Sequence, residues 1–203
     1  MIDISISKKY KTLLSDKDSF YSEVDRLNKV HEKYNLPDYY NLGNLTLDSD
    51  FSAVGKSDQF FTTKHLPWTR TLDDKEKDIE LKMLSYEKGT DQWLEIKNKL
   101  NLKSFTLVKN TQLPNEVTSI HIDLSSGFTF DKVDKEFVDF TTSDLKKYII
   151  FLKDWVLGQI FMFPKSNITK WKKFDVISFP WYMYHATANT SHQNKELLLV
   201  TGV

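Results

Sequence analysis

Beyond residue 103 the chain reads as a series of short runs rich in β-branched and aromatic residues, and this pattern restricts its fold more than any other feature. The runs are Phe105–Lys109, Val117–Asp123, Tyr148–Asp154, Gln159–Phe163, Asp175–Phe179, Met183–Thr187 and Glu196–Thr201, divided by Asn, Asp, Gly, Pro and Ser. Segments of this length, with no helical period between them, predict an antiparallel sandwich or jelly roll and do not call for βαβ units. Before residue 103 the pattern is helical and polar. Ser15 to Tyr34 offers a cap at Ser15 or Asp16 and apolar positions at Phe20, Val24, Leu27 and Val30, ending at Asn35-Leu36-Pro37. Residues 38–70 read as irregular, and their length makes them the candidate lid. Leu72–Tyr86 and Asp91–Leu100 read as two short helices, the second capped by Thr90. No linker rich in Pro, Gly or Ser separates the halves, so 1–203 is expected to be a single domain. Residues 1–103 would form a mainly helical extension, and 104–203 the β-core.

The charge balance narrows the partners. Lysine plus arginine (28) equals aspartate plus glutamate (28), so no overall field draws the chain to nucleic acid or to an anionic membrane. No cysteine is present, which excludes disulfides, thiolate nucleophiles and Cys-based zinc sites. Any metal must be held by His, Asp or Glu. The first residues lack the apolar run of a signal peptide, and no stretch reaches the roughly 18 apolar residues of a membrane span. These features together predict a cytoplasmic protein. Phosphate-binding glycine loops and the Gly-x-Ser-x-Gly elbow are absent.

Within the β-region, His121-Ile122-Asp123 places an imidazole and a carboxylate on one face of an extended strand. His185, from a distant strand, would add a second imidazole. Two imidazoles and one carboxylate cover a triangular face of an octahedral metal and leave the other positions open, as in non-heme Fe(II) oxygenases. Taken alone, His-x-Asp is more often a surface strand pair, and His185 reads equally as a core histidine. His192 falls in a polar turn, and His31 and His65 have no metal-ligand spacing to a partner. Trp155, Trp171, Trp181 and Tyr184 could line a mouth, although aromatics in β-proteins are mainly core.

The downstream block adds context. Asp175 opens an apolar strand, Phe179-Pro180 ends it, His185 follows Phe179 by six positions, and Lys195 follows His185 by ten. In order and spacing, about residues 104–203, roughly half of the chain, resemble the 2-oxoglutarate- and Fe(II)-dependent dioxygenases. The resemblance implies a double-stranded β-helix with His121, Asp123 and His185 as Fe(II) ligands. It also implies 2-oxoglutarate as cosubstrate, anchored by Lys195 where the family usually has arginine. Lysine offers a point charge there and no bidentate fork. Tyr148, Gln159 and Asn189 are candidate hydrogen-bonding residues toward the cosubstrate's carboxylates. Retention of Asp123 speaks against the family's halogenating variants, so the implied outcome is hydroxylation of a small molecule or peptide by dioxygen, with succinate and carbon dioxide released. Two alternatives remain open: a cupin-type metal enzyme without 2-oxoglutarate, and a non-catalytic jelly-roll module for binding or assembly. An inward Lys195 distinguishes the dioxygenase from both.

Overall fold

The computed structural model describes residues 17–52, 61–62, 80–103, 105–122 and 145–203. Two helices precede the core, α1 (Lys17–Lys33) and α2 (Asp91–Leu100). Three strands belong to the same half, β1 (Tyr40–Asn44), β2 (Phe61–Thr62) and β3 (Glu80–Ser85). The core strands are β4 (Phe105–Gln112), β5 (Glu116–His121), β6 (Lys146–Phe151), β7 (Gln159–Met162), β8 (Asn167–Ile168), β9 (Asp175–Pro180), β10 (His185–Asn189) and β11 (Lys195–Gly202). They form a seven-stranded sheet in the order β1-β9-β6-β11-β4-β3-β2 and a four-stranded sheet in the order β5-β10-β7-β8. From β4 onward the chain passes back and forth between the sheets, with β4, β6, β9 and β11 in the large one and β5, β7, β8 and β10 in the small one. That winding is a double-stranded β-helix, the jelly roll that the strand pattern predicted.

Strand alternation divides the apolar residues between two cores. One face of the large sheet carries Phe105, Leu107, Ile150, Val176, Leu198 and Val200, which pack with Trp93 and Ile96 of α2. Trp93 stacks on Phe105 at 4.6 Å. The helix starts where Thr90 accepts a hydrogen bond from the Trp93 backbone N–H at 3.3 Å. It stops at Asn101, whose left-handed conformation (φ 52°) is one that asparagine tolerates. The other face, with Ile149, Phe151, Ile177, Phe179 and Leu197, meets Phe161, Phe163, Ile168 and Met183 inside the barrel. A third cluster joins Val24 and Leu27 of α1 to Ile122 and Trp181, which docks the helix at one end of the barrel.

Two expectations about the first half are corrected. The described end of the anticipated helix Leu72–Tyr86 is strand β3, which pairs antiparallel with β4 from Lys82↔Thr111 to Ser85↔Val108. The long edge of β4 supplies a row of backbone donors and acceptors, and satisfying it outweighs local helical preference. Residues 38–70 read as irregular in sequence, yet β1 pairs with β9 across Tyr40↔Ser178 and Asn44↔Asp175, with a bulge at Asn41/Gly43 where Gly43 takes φ +86°. Within the core, the two-residue strand β8 falls in a stretch with the composition of a turn. The segment Trp181–Tyr184 makes a wider turn than expected, closed by Met183 N–H donating to Pro180 O at 3.0 Å. Among the described residues no helix is long and apolar enough to cross a membrane.

Gly158, just before β7, packs tightly against the turn that follows β10. It adopts φ +100°, and a Cβ there would lie 2.8 Å from Thr190 Oγ1 and 2.9 Å from Ser191 N. Gly158→Ala should therefore destabilise the protein by about 2–4 kcal/mol through strain and overpacking, a shift readable as a lower urea midpoint at unchanged slope.

Candidate metal centre

The barrel interior has two distinct ends because consecutive core strands run in opposite senses. His121 ends β5 and His185 begins β10, and the two are register partners across the small sheet. Their ring centroids lie 4.4 Å apart with a 52° tilt, close enough for both imidazoles to serve one ion. His185 is 3% exposed. It stacks on Phe161 (5.5 Å, 9°) and meets Phe179 edge-on at 5.2 Å. Its Nδ1 lies 3.1 Å from Met183 O. A carbonyl only accepts, so Nδ1 carries a hydrogen, and in the neutral ring Nε2 is then the nitrogen that could bind a metal. Asp123 lies outside the described residues, and among the described residues no three His, Asp or Glu side chains converge. The donor set thus supplies two imidazoles, one of them at the start of a His-x-Asp segment, and both fit an imidazole-preferring divalent ion.

Lys195 marks the opposite end. It is the first residue of β11, on the same face as Leu197, and so points into the barrel, where it is 2% exposed. Its Nζ donates to Ile160 O at 3.2 Å and to Ala188 O at 3.4 Å. No carboxylate among the described residues pairs with it. Burial pulls its pKa down from 10.5 to about 7. Its register partner Gln112 also points inward. Gln112 Nε2 donates to Thr187 O at 3.2 Å, and Thr187 Oγ1 donates to Gln112 Oε1 at 3.2 Å.

The three further cosubstrate candidates fare differently. Gln159 and Asn189 are buried at the Lys195 end, but their amides are committed to the turn between β10 and β11. Asn189 Nδ2 donates to Gln112 O at 2.9 Å and Gln193 O at 2.8 Å, and its Oδ1 accepts from Ser191 Oγ at 2.7 Å. Gln159 Nε2 donates to Ser191 Oγ at 3.3 Å. Tyr148 faces the other way. It packs against the α2 side of the large sheet, because Lys147, Ile149 and Phe151 take the inner positions of β6. Burial raises its pKa above the ordinary 10.

The candidate mouth aromatics are likewise redistributed. Trp155 Nε1 donates to Gln159 O at 2.7 Å and Trp171 stacks on Phe151 at 4.2 Å, so both are structural. Trp181 is buried beside α1, and Tyr184 donates from its hydroxyl to Asp25 Oδ1 at 3.4 Å. His31 is buried against Tyr182, with ring centroids 6.1 Å apart, His192 is exposed, and His65 lies outside the described residues. Sequence reasoning overlooked Gln112 and Lys147. Both were accessible from period-two alternation: Gln112 is the last inward position of β4, and Lys147 is two residues before Ile149.

The sheet topology defines a jelly-roll protein of the double-stranded β-helix class, the architecture of the cupins. No protein-family model matches the sequence, and no curated protein matches it. Solved structures do match the fold. EvdMO1 aligns with a TM-score of 0.50 at 11% identity, over 81% of this chain and 46% of its own. The viral collagen prolyl hydroxylase of Paramecium Bursaria Chlorella virus-1, solved as a 2-oxoglutarate complex, aligns with a TM-score of 0.44 at 17% identity, over 61% of this chain and 80% of its own. A cupin superfamily protein from Desulfitobacterium hafniense DCB-2 aligns with a TM-score of 0.37 at 11% identity, over 64% of this chain and 83% of its own. At these identities the likeness is one of fold.

Proposed function

We propose that this chain is a non-heme Fe(II)- and 2-oxoglutarate-dependent dioxygenase acting as a hydroxylase. The observation that carries the reading is Lys195. A buried ammonium with only carbonyl partners is costly, and its burial inside the barrel is explained if an anion joins it. Its hydrogen bonds reach Ala188, three residues along β10 from His185, or on the order of 10 Å of strand. A five-carbon diacid chelating a metal at the histidines would bridge that gap. His121, His185 and Asp123 would hold the iron. Bound there with 2-oxoglutarate and dioxygen, it supplies the oxidising chemistry that decarboxylates the cosubstrate to succinate and hydroxylates the substrate. The chain's own share is to fix the imidazole tautomer through Met183 O, neutralise the far carboxylate through Lys195, and keep water out with Phe161, Phe163 and Phe179.

Anaerobic titration of the Fe(II)-loaded protein with 2-oxoglutarate tests this directly. The wild type should develop the visible metal-to-ligand charge-transfer band, and His121→Ala should lose it. Fe(II) binding without the band would favour a cupin-type metal enzyme. Failure to bind any divalent metal would leave a non-catalytic jelly roll.

A further inference from the structure

Exposed apolar side chains are unevenly spread over the surface. Of the eight large ones exposed among the described residues, four (Tyr34, Leu36, Tyr40 and Leu42) fall within residues 34–42, and the other four are divided among α2, β5 and the β6–β7 turn. Single exposed apolar residues are ordinary, whereas a contiguous group marks a contact surface. The four are neighbours in space as well as in sequence. Asn35 turns the chain at the end of α1 with φ 47°, and Leu36 N–H donates to His31 O at 3.1 Å. The His31 ring lies 6.1 Å from that of Tyr182, whose pKa is raised above 10 by burial and then by the neighbouring Tyr40. Tyr182 thus links Leu36 to Tyr40, and Leu42 follows on β1, all five of whose residues are exposed. The strip is also fixed in place. Asp38 Oδ2 accepts from Lys165 N–H and Ser166 Oγ, both at 2.8 Å, and Tyr39 stacks on Phe163 at 5.3 Å. A segment already ordered loses little further freedom on association.

We propose that this strip is the contact between two copies of the chain, packed about a two-fold axis. Its charge selects the partner. Residues 34–44 hold one charged side chain, Asp38, and that one is buried. Nucleic acid phosphates and anionic bilayers call for clustered lysine or arginine, which the strip lacks. An aromatic centre depleted of charge matches the core of a protein interface, and the exposed Glu32 and Lys33 at the end of α1 supply a polar rim. A two-fold contact sets one patch against itself, so an uncharged patch meets its copy without like-charge repulsion. An extended peptide adding a strand to β1 fits less well. The bulge at Asn41/Gly43 interrupts the edge, and Gly43 N–H is taken by Asn41 Oδ1 at 2.8 Å. The contact is therefore made by side chains of a folded surface. A strip this short makes a small interface, so the dimer is reversible.

Sedimentation equilibrium on the full chain tests this between about 1 and 300 µM, which brackets the affinities of small interfaces. The wild-type mass should climb from one chain toward two across that range. Leu42→Asp brings a carboxylate of each copy into the contact and should weaken association at least tenfold, with the far-UV circular dichroism of the wild type retained. If that variant does not fold, Tyr34→Ser serves in its place, because Tyr34 is 60% exposed. Leu157→Asp, on an exposed turn outside the strip, should leave association unchanged. Raising salt from about 50 to 500 mM should also leave it unchanged, since no ion pair is made. A wild type that stays monomeric throughout would overturn the proposal; its cosedimentation with phosphatidylcholine vesicles would then give the strip to lipid. Association untouched by Leu42→Asp or Tyr34→Ser, weakened equally by Leu157→Asp, or lost steeply with salt would each overturn it too.

Discussion

Lys195→Met should abolish 2-oxoglutarate binding and at the same time stabilise the folded protein below pH 7. Both effects follow from one buried ammonium. In the folded chain its pKa is about 7, against an ordinary 10.5, because burial disfavours the charged form. Between those values the unfolded chain holds a proton that the folded chain has released, so stability rises with pH across that window. Below pH 7 both states are protonated and the full cost of burying the charge is present. At about 1.4 kcal/mol per pKa unit, removing that cost is worth at most on the order of 5 kcal/mol, less the two carbonyl hydrogen bonds that the ammonium donates. Urea denaturation at pH 6 and pH 10.5 should show a large gain for Lys195→Met at the lower pH and little at the higher. Cosubstrate binding takes the opposite sign in the wild type. The far carboxylate requires the charged form, so above pH 7 binding must take up a proton, and apparent affinity should fall by up to tenfold per pH unit. A variant that keeps its 2-oxoglutarate affinity, or a wild-type affinity flat from pH 7 to 9, would remove Lys195 from the role of anchor.

The second large effect is expected at His185. Replacing groups that merely support a metal ligand commonly costs about 10–100-fold in affinity, so losing one imidazole of a two-histidine pair should cost more. Alanine would confuse this with packing loss, since the ring fills a space between Phe161, Phe163 and Phe179. His185→Leu separates the two, keeping the apolar volume and removing the nitrogen. Its metal-free melting temperature should stay close to that of the wild type. Adding Mn(II) should raise the wild-type melting temperature, because a ligand that binds only the folded state stabilises it, and should leave His185→Leu unmoved. An undiminished Mn(II) shift in His185→Leu would show that His185 is a core residue and not a ligand.

Much of the architecture was legible because it is written locally. Period-two runs located seven of the eight core strands, and Thr90 ahead of Asp91–Leu100 marked the start of α2. The inward aim of Lys195 also follows from local order, since Lys195, Leu197, Leu199 and Thr201 share one face of a single strand. The places where the reading failed depend on distant partners. Leu72–Tyr86 looks helical in isolation, but its described end becomes a strand because β4 offers it an edge. Tyr148 looks available to a ligand until Lys147, Ile149 and Phe151 are seen to claim the inner face of β6.

By itself, then, the sequence determined the strand succession, the jelly-roll class and the candidate residues His121, Asp123, His185 and Lys195, since strand period and motif spacing are properties of neighbours along the chain. Only the tertiary structure decided that His121 and His185 stand side by side as register partners, that Gln159 and Asn189 are spent on a turn, and that Lys147 takes the inner face of β6 while Tyr148 takes the outer one. Those outcomes depend on which strand pairs with which, and in what register. Such pairings join residues tens of positions apart, and the hydrogen-bonding and burial energy that selects among them belongs to the assembled barrel and not to any local segment.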